Sequence, residues 1–311
     1  MVIKVQSVEE KQPSNVVLKK FASAGLSCAI VSSILNPFDV IKIRLQLNDE
    51  KAKLYTLQGG HFRQVVKTII QNEGGVISLW TRGLTASIMR EITYSSLRIG
   101  LYEAIRNYNH KDDKRKPSLG KKILSGALGG AVASSLTNPC DVVKIRLQNE
   151  RGKTTGQRYS NTFSAFSTIL KEEGFFRGWY QGVSATVLRA AILTASQLST
   201  YDHSKVILTA NFPQYFQQHH PQTHVVSALI SGLVTSLITQ PFDCIKTRYM
   251  NDPNQMYSNV YDCVLKTIKN EGILAFYKGF SGYFLRLGSH FIMSLPLLEF
   301  IRMHLFQLQP I

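Results

Sequence analysis

Three stretches of the chain contain no Asp, Glu, Lys or Arg, and each stretch is 18 residues long. They cover residues 21–38, 123–140 and 225–242, and they mix aliphatic residues with Ser, Ala, Gly and Thr. A helix that crosses a bilayer needs about 20 mostly apolar residues, and small residues let such helices approach closely. The pattern predicts three membrane helices, although three buried helices of a soluble protein would give a similar one.

The three stretches recur at a constant step along the chain. They begin at residues 21, 123 and 225, a step of 102 residues each time, and end in NPFDVIKIRLQ, NPCDVVKIRLQ and QPFDCIKTRYM. Pro37, Pro139 and Pro241 hold the same place in each, where a proline inside a helix produces a kink. Solenoid units are only about 20–50 residues long. The step therefore predicts three similar small bundles that pack side by side.

A second set of features follows each of these segments. A short amphipathic stretch ends in Glu-Gly and is followed by WTRG, WYQG or FYKG. A further mostly apolar stretch then covers residues 84–102, 183–201 and 280–298. Each repeat thus predicts a membrane helix, a short surface helix and a second membrane helix. We expect an all-α membrane protein with six spans, organised as a tail at 1–17 and repeats at 18–110, 117–210 and 222–308.

Composition narrows the class without deciding it. The chain has 36 Lys and Arg against 20 Asp and Glu, and only 18% of its residues are charged, whereas about 25% is usual in soluble domains. A hydrophobic content of 44% excludes a disordered chain. The net charge of +16 would also suit a soluble basic binding protein, which stays an alternative. The four cysteines show no metal-binding or disulfide spacing, and no nucleophile–base pattern indicates an enzyme.

The repeated P-x-[DE]-x-x-[KR]-x-[KR], followed by [DE]-G and aromatic-x-G, resembles the signature of the mitochondrial carrier family over nearly the whole chain. The resemblance implies a six-helix bundle with threefold pseudosymmetry, in which each repeat has a short surface helix on the matrix side. It implies one substrate site on the axis and alternating access across the mitochondrial inner membrane. It further implies a monomer with both termini in the intermembrane space, inner-membrane lipid and cardiolipin as its lipid partners, no other cofactor and no nucleic acid.

Charged residues at repeated positions are the expected gates. A charge inside a membrane needs a partner, so each Asp of the first motif can pair with a Lys of a neighbouring repeat. The resemblance makes these pairs a matrix gate with glutamine braces, and it places a second gate with tyrosine braces on the cytoplasmic side. The matrix gate comprises Asp39, Lys42, Asp141, Lys144, Asp243 and Lys246 with Gln46 and Gln148. The cytoplasmic gate comprises Glu103, Arg106, Asp202, Lys205, Glu299 and Arg302 with Tyr102 and Tyr201.

Paired glycines mark the expected lipid contacts. The family would place cardiolipin phosphates at helix N-termini, here near Gly74, Gly83, Gly174, Gly182, Gly272 and Gly279. The step from the Glu of Glu-Gly to the second glycine is 10, 9 and 8 residues in the three repeats. The family usually has 8, so repeats 1 and 2 are expected to carry small insertions.

An arginine stands seven residues after the second glycine of every repeat, at Arg90, Arg189 and Arg286. Three arginines at one depth predict an anion site, because Arg binds carboxylates bidentately. The family reads its substrate at these positions, and Arg189 followed by Ala190 resembles carriers of carboxylates and keto acids. The remaining expected contacts on the same helices are Tyr94, Arg98, Gln197 and His290.

The letters RLGSH and RAAILTASQL resemble the oxoglutarate, dicarboxylate and uncoupling-protein branch of the family. Glu91 stands where that branch commonly has Gln, and it could offset a charge in the cavity or lie in a helix interface. Thermogenic uncoupling proteins carry an acid at the position of Ser32. We therefore predict an exchanger of small anions such as malate or 2-oxoglutarate, with phosphate or sulfate as further candidates. A proton or anion leak like that of an uncoupling protein is the alternative, and a scaffold derived from a carrier is a third.

Overall fold

The structure is a computed structural model that describes residues 14–47, 62–72, 75–109, 119–150, 158–214, 221–252 and 256–306. None of these residues lies in a β-strand, so the predicted all-α class is confirmed. The described α-helices are α1 (Ser14–Leu47), α2 (Phe62–Asn72), α3 (Val76–Thr81), α4 (Leu84–Asn109), α5 (Leu119–Leu136), α6 (Asn138–Asn149), α7 (Thr162–Glu173), α8 (Val183–Asn211), α9 (Pro221–Met250), α10 (Val260–Glu271) and α11 (Phe280–His304).

The long helices close into a ring. Helix α1 packs against α4 and α11, α5 packs against α4 and α8, and α9 packs against α8 and α11. Helix α6 also contacts α1 and α9, which contact each other. The three proline-containing segments therefore meet at one end of the ring, which we call the proline end. The short helices α2, α7 and α10 pack on α1, α6 and α9, respectively, at this end.

The prolines act differently in the three repeats. Pro37 lies inside α1 and Pro241 lies inside α9, and both helices continue past them. In repeat 2 the helix breaks at Thr137, whose φ and ψ are −92° and 2°, and Pro139 is the second residue of the new helix α6. Proline lacks the N–H of a helical hydrogen bond and clashes with the preceding turn. The kink predicted for repeat 2 is thus a break between two helices.

The ring is apolar outside and polar between its helices. One face of α5 exposes apolar residues every fourth position, namely Leu124, Leu128, Val132 and Leu136, which are 46–56% exposed. The opposite faces of the long helices bury small polar residues, among them Ser125, Ser134, Ser227 and Thr235. A water-soluble fold places apolar residues inside, whereas a bilayer favours this inverted arrangement. Three described segments, Ala22–Leu47, Val225–Met250 and Ile273–His304, are long and apolar enough to cross a membrane. The structure therefore favours the membrane protein over the soluble basic one.

The unequal linkers before the second long helices form different helical turns. Repeat 1 has the short α3, repeat 2 has a π turn at Phe175–Trp179, and repeat 3 has a 3₁₀ turn at Ile273–Tyr277. The 3₁₀ turn has the fewest residues per turn, and it occurs in the shortest linker. The linkers of repeats 1 and 2 both span 8 residues, from Gly75 to Gly83 and from Gly174 to Gly182, yet their turns differ, so linker length alone does not set the helix type.

Left-handed glycines bracket each linker. The first glycine of each pair is Gly75, Gly174 or Gly272, with φ near 80°, and the second is Gly83, Gly182 or Gly279. Side chains other than glycine rarely adopt this conformation. In repeat 1 the left-handed residue is Gly75, whereas the predicted Gly74 lies outside the described residues.

Candidate functional site

Three buried ion pairs cross the axis at the proline end. Each lysine lies 2.6–2.7 Å from an aspartate of another repeat. The pairs are Lys42 with Asp243, Lys144 with Asp39, and Lys246 with Asp141. All six side chains are buried. The aspartates and lysines of the repeated motif therefore tie all three repeats to one another at this end.

The two predicted glutamine braces bind differently. Gln46 Nε2 donates to Asp243 Oδ2 over 3.0 Å and so supports the Lys42–Asp243 pair. Gln148 Nε2 donates instead to Asn36 Oδ1 over 2.9 Å and to Ser87 Oγ over 3.4 Å. Asn36 presents a buried amide oxygen, and such an oxygen needs a donor. In this structure Gln148 therefore fixes the packing of α6 against α1 and α4, and it does not brace an aspartate.

The three predicted arginines reach the same aspartates. Their side chains are between 11% and 13% exposed, and each one forms an ion pair with the motif of a different repeat. The pairs are Arg90 with Asp141 at 3.1 Å, Arg189 with Asp243 at 2.6 Å, and Arg286 with Asp39. Each aspartate is thus shared between a lysine and an arginine. The predicted anion site and the predicted matrix gate form one continuous cluster, which we call the floor cluster.

Glu91 adds a fourth acid to the floor cluster. Its carboxylate lies 2.6 Å from Arg90 Nη1 and 3.4 Å from Arg286 Nη2, and the residue is buried. It therefore links α4 of repeat 1 to α11 of repeat 3. With its six basic and four acidic side chains, the floor cluster has a net charge of +2.

Two of the remaining predicted contacts adjoin the floor cluster. The guanidinium of Arg90 lies over the ring of Tyr94, 4.5 Å from its centre, which is the geometry of a cation–π interaction. His290, one turn after Arg286 on α11, interacts electrostatically with Glu91.

Three other predicted contacts lie on α4 and α8. Ala190 is buried where α8 packs beside Gly130 of α5, so its small side chain serves helix packing. The backbone oxygen of Gln197 accepts a hydrogen bond from Ser231 of α9 over 2.9 Å. Arg98 is half-buried two turns after Arg90. None of these three described residues joins the ion pairs of the floor cluster, and Arg98 and Gln197 each lie eight residues further along their helix than its arginine.

The predicted cytoplasmic gate falls at the opposite ends of α4, α8 and α11. The side chains of Tyr102, Glu103, Arg106 and Glu299 lie outside the described ones. Among the described side chains, Asp202, Lys205 and Arg302 form no ion pair with one another. Tyr201 is half-buried beside Asp202. The cytoplasmic gate stays a prediction.

Comparison with known protein families decides the identity of the chain. A sequence model of the family described as mitochondrial carrier protein matches residues 13–113, 115–212 and 217–308. The chain belongs to the mitochondrial carrier family. This membership confirms the resemblance found in the sequence. It identifies the protein as a transporter, because the members of this family are transporters and not enzymes.

Three relatives illustrate the branch of the family that this carrier is similar to. It is 40% identical over 289 residues to the mitochondrial substrate carrier family protein ucpB of Dictyostelium discoideum, covering 91% of this chain and 94% of the relative. It is 36% identical over 290 residues to the probable mitochondrial 2-oxoglutarate/malate carrier protein of the same organism, covering 91% and 88%. It is 34% identical over 286 residues to the mitochondrial brown fat uncoupling protein 1 of Suncus murinus, covering 92% and 91%. These relatives point to the mitochondrial inner membrane.

The carrier also contains anchors that the sequence did not single out. The residue before each proline donates its side-chain amide to backbone oxygens of the linker in its own repeat. Asn36 donates to Trp80 over 2.8 Å and Arg82 over 3.1 Å, Asn138 to Trp179 over 2.8 Å and Gln181 over 3.2 Å, and Gln240 to Lys278 over 2.9 Å. The signal was present in the sequence, because all three residues are amides at the same repeat position.

Arginines of the motif hold the surface helices of the carrier in place. Arg146 forms two hydrogen bonds with Glu173, one of 2.7 Å, and Arg248 binds Glu271 over 2.6 and 2.7 Å. Bidentate pairs of this kind fix geometry as well as adding energy. Each arginine lies two residues after a lysine of the floor cluster. These pairs therefore join α7 and α10 to the segments that carry Lys144 and Lys246 of the floor cluster.

Tyr283 is a further residue of the floor that the sequence did not indicate. Its hydroxyl lies 2.9 Å from Thr239 Oγ1 and 3.4 Å from Arg189 Nη2, and Lys42 Nζ lies 4.7 Å from its ring centre. The side chain is fully buried. Tyr283 thus contacts both cations that share Asp243.

Proposed function

We propose that this carrier exchanges small dicarboxylates or keto acids, such as malate or 2-oxoglutarate, across the mitochondrial inner membrane. The observation that supports this is the pairing of Arg90, Arg189 and Arg286 with carboxylates of the chain itself. An arginine that binds an aspartate presents the same donors to a substrate carboxylate. The net charge of +2 in the floor cluster suits a dianion. The relative named as a 2-oxoglutarate/malate carrier supports the same substrate class.

The shared aspartates suggest how substrate binding opens the gate. In the closed arrangement each aspartate holds one lysine and one arginine. A substrate whose carboxylates bind the three arginines leaves each aspartate with its lysine as its one remaining partner of the two. Intact buried ion pairs add little net stability, so a few kcal/mol of binding energy is enough to shift the equilibrium between closed and open states. We place the proline end on the matrix side and both termini in the intermembrane space, as the family resemblance implies.

Membrane lipid is the second proposed partner of the proline end. Each linker exposes a large apolar residue two positions after its first left-handed glycine, and these are Ile77, Phe176 and Leu274, which are 73%, 80% and 82% exposed. We propose that they enter the inner membrane, with cardiolipin phosphates at the glycine-led N-termini of the neighbouring helices. We propose that the carrier is a monomer. Added cardiolipin should raise the melting temperature of the detergent-solubilised carrier more than an added neutral lipid does.

A liposome assay tests the substrate proposal. Purified carrier is reconstituted into liposomes that contain malate or 2-oxoglutarate, and uptake of the labelled anion is followed. We expect saturable uptake that requires an anion inside. The absence of exchange for every carboxylate, phosphate and sulfate tested would reject the proposal.

A leak like that of uncoupling proteins is the second candidate, because one relative is named a brown fat uncoupling protein. The position of the acid that thermogenic members carry is Ser32, which is buried at 1% exposure. An uncharged side chain at this position supports exchange over regulated proton leak. A pH-sensitive dye separates the two functions in liposomes that contain no substrate anion. With acid outside and potassium ions free to leave through valinomycin, a proton leak acidifies the interior, whereas an exchanger without internal substrate does not.

A further inference from the structure

Glu91 is the one acid of the described floor cluster that has no lysine partner in it. The three aspartates each bind one lysine and one arginine. Glu91 binds Arg90 and Arg286, which are two of the three arginines expected to receive the anion. It therefore occupies part of the site in the way that a carboxylate of a substrate would.

The geometry makes the three arginines unequal. Arg90 and Arg286 each form ion pairs with an aspartate and with Glu91. Arg189 instead forms an ion pair with Asp243 and a hydrogen bond with the neutral hydroxyl of Tyr283. One carboxylate of an incoming anion can bind Arg189 in place of Asp243. A second one must share Arg90 and Arg286 with Glu91. Glu91 thus opposes any further negative charge on that side of the site.

We propose that Glu91 is a fixed internal counter-ion that determines the charge of the anion this carrier transports. With Glu91 the floor cluster has a net charge of +2, and without it the net charge would be +3. Charge interactions are strong in a buried, low-dielectric site. Glu91 therefore selects dianions over trianions. This inference rests on the proposed transport of small anions and adds the residue that decides between their charge classes.

The test compares a dicarboxylate with a tricarboxylate in liposomes at pH 7.5. The ratio of kcat/KM for citrate to that for malate is measured for the wild type and for Glu91→Gln. We expect the ratio to rise by at least about tenfold in the variant, because one unit charge near the substrate changes binding by that order. Glu172→Gln is the matched control, since Glu172 loses the same charge on an exposed surface helix, where its side chain is 50% exposed.

A double variant separates charge from structure. Glu91→Gln with Arg90→Gln removes one acid and one base, so the net charge returns to +2, although Arg286 still loses its contact with Glu91. We expect its citrate-to-malate ratio to return to the wild-type value, even if total activity falls. Glu91→Asp keeps the charge and should keep the wild-type ratio. Thermal unfolding in detergent shows whether each variant is folded. If Glu91→Gln alone is not folded, the double variant is compared with Arg90→Gln, and we expect its citrate-to-malate ratio to be at least about tenfold higher than in Arg90→Gln. An equal ratio in these two variants would overturn the role of Glu91.

Each outcome decides something different. A Glu91→Gln carrier with an unchanged ratio, or a double variant whose ratio stays raised, would overturn the role of Glu91. A wild type that carries sulfate but no carboxylate would overturn the dicarboxylate proposal alone. The effect of Glu91 would then be read from chloride, sulfate and pyrophosphate, which differ in charge. A wild type that exchanges no anion at all would overturn both.

Discussion

Gln46 of the first repeat donates a hydrogen bond to Asp243 of the third repeat over 3.0 Å. The same carboxylate oxygen binds Lys42 Nζ at 2.6 Å. The Lys42–Asp243 pair is therefore braced, whereas the Lys144–Asp39 pair lacks the matching bond from Gln148. The floor cluster is accordingly asymmetric, although the motif that builds it is repeated three times.

Gln46→Ala should destabilise the closed arrangement more than Gln148→Ala does. Hydrogen bonds to charged groups contribute about 1.5–3 kcal/mol, whereas neutral ones contribute about 0.5–1.5 kcal/mol. Gln46 binds a carboxylate, and Gln148 binds a neutral amide and a hydroxyl. The melting temperatures of both variants in detergent check this order. An equal or larger effect of Gln148→Ala would show that the brace does not stabilise the closed state.

Arg189→Gln should reduce malate exchange by about a hundredfold or more. The change removes a buried partner of Asp243, and losing one member of a buried ion pair costs about 3–5 kcal/mol. It also removes the arginine that has no bond to Glu91. Initial rates of exchange in liposomes measure the loss. Arg158→Gln is the control, because Arg158 pairs with Glu172 on the exposed surface. This variant should retain full activity.

The sequence predicted the parts of the site that follow from repetition and charge. The three Asp–Lys pairs were foreseeable. An aspartate that lies at the same place in three apolar segments has few possible partners other than the motif lysines of the other repeats. For Glu91 the sequence left two roles open, a counter-charge in the cavity or a place in a helix interface. It could not decide between them, because the partner Arg286 comes from another repeat. Asn36 carries no charge, so it did not stand out before its proline.

The fold shows the same division. Helices and their order follow from the apolar stretches, whereas the break at Thr137 depends on how one proline-containing helix packs against the others. The linkers were predicted to carry insertions, but their length alone does not determine whether an extra residue makes an α, π or 3₁₀ turn. The break and the helix types of the linkers are therefore determined by tertiary contacts.

Tyr283→Phe should lower the stability of the carrier by about 1 kcal/mol, and Tyr283→Ala by about 3–5 kcal/mol. Phenylalanine keeps the ring beneath Lys42 and removes only the hydroxyl that contacts Thr239 and Arg189. Thr239 stays satisfied, because it also bonds to the backbone oxygen of Thr235 over 2.6 Å. Alanine leaves a cavity in a fully buried site. The melting temperatures of the two variants in detergent distinguish them. Equal losses of stability would contradict the separate roles of ring and hydroxyl.

Gly279→Ala should be clearly destabilising, and Gly120→Ala should be neutral or slightly stabilising. Gly279 has φ of 78°, and an added Cβ would lie 3.2 Å from the backbone oxygen of Lys42. The variant therefore combines backbone strain of about 1–2 kcal/mol with pressure on the helix that carries the lysine of the floor cluster. At Gly120, the second residue of α5, an added Cβ meets nothing within 4 Å. Alanine is favoured over glycine by about 0.5–1 kcal/mol in the middle of a helix, and we expect less than this in the first turn. The difference between the two melting temperatures measures the effect of position, since the substitution is the same. If Gly279→Ala melted at or above the temperature of Gly120→Ala, the close approach of α11 to Lys42 would not constrain the carrier.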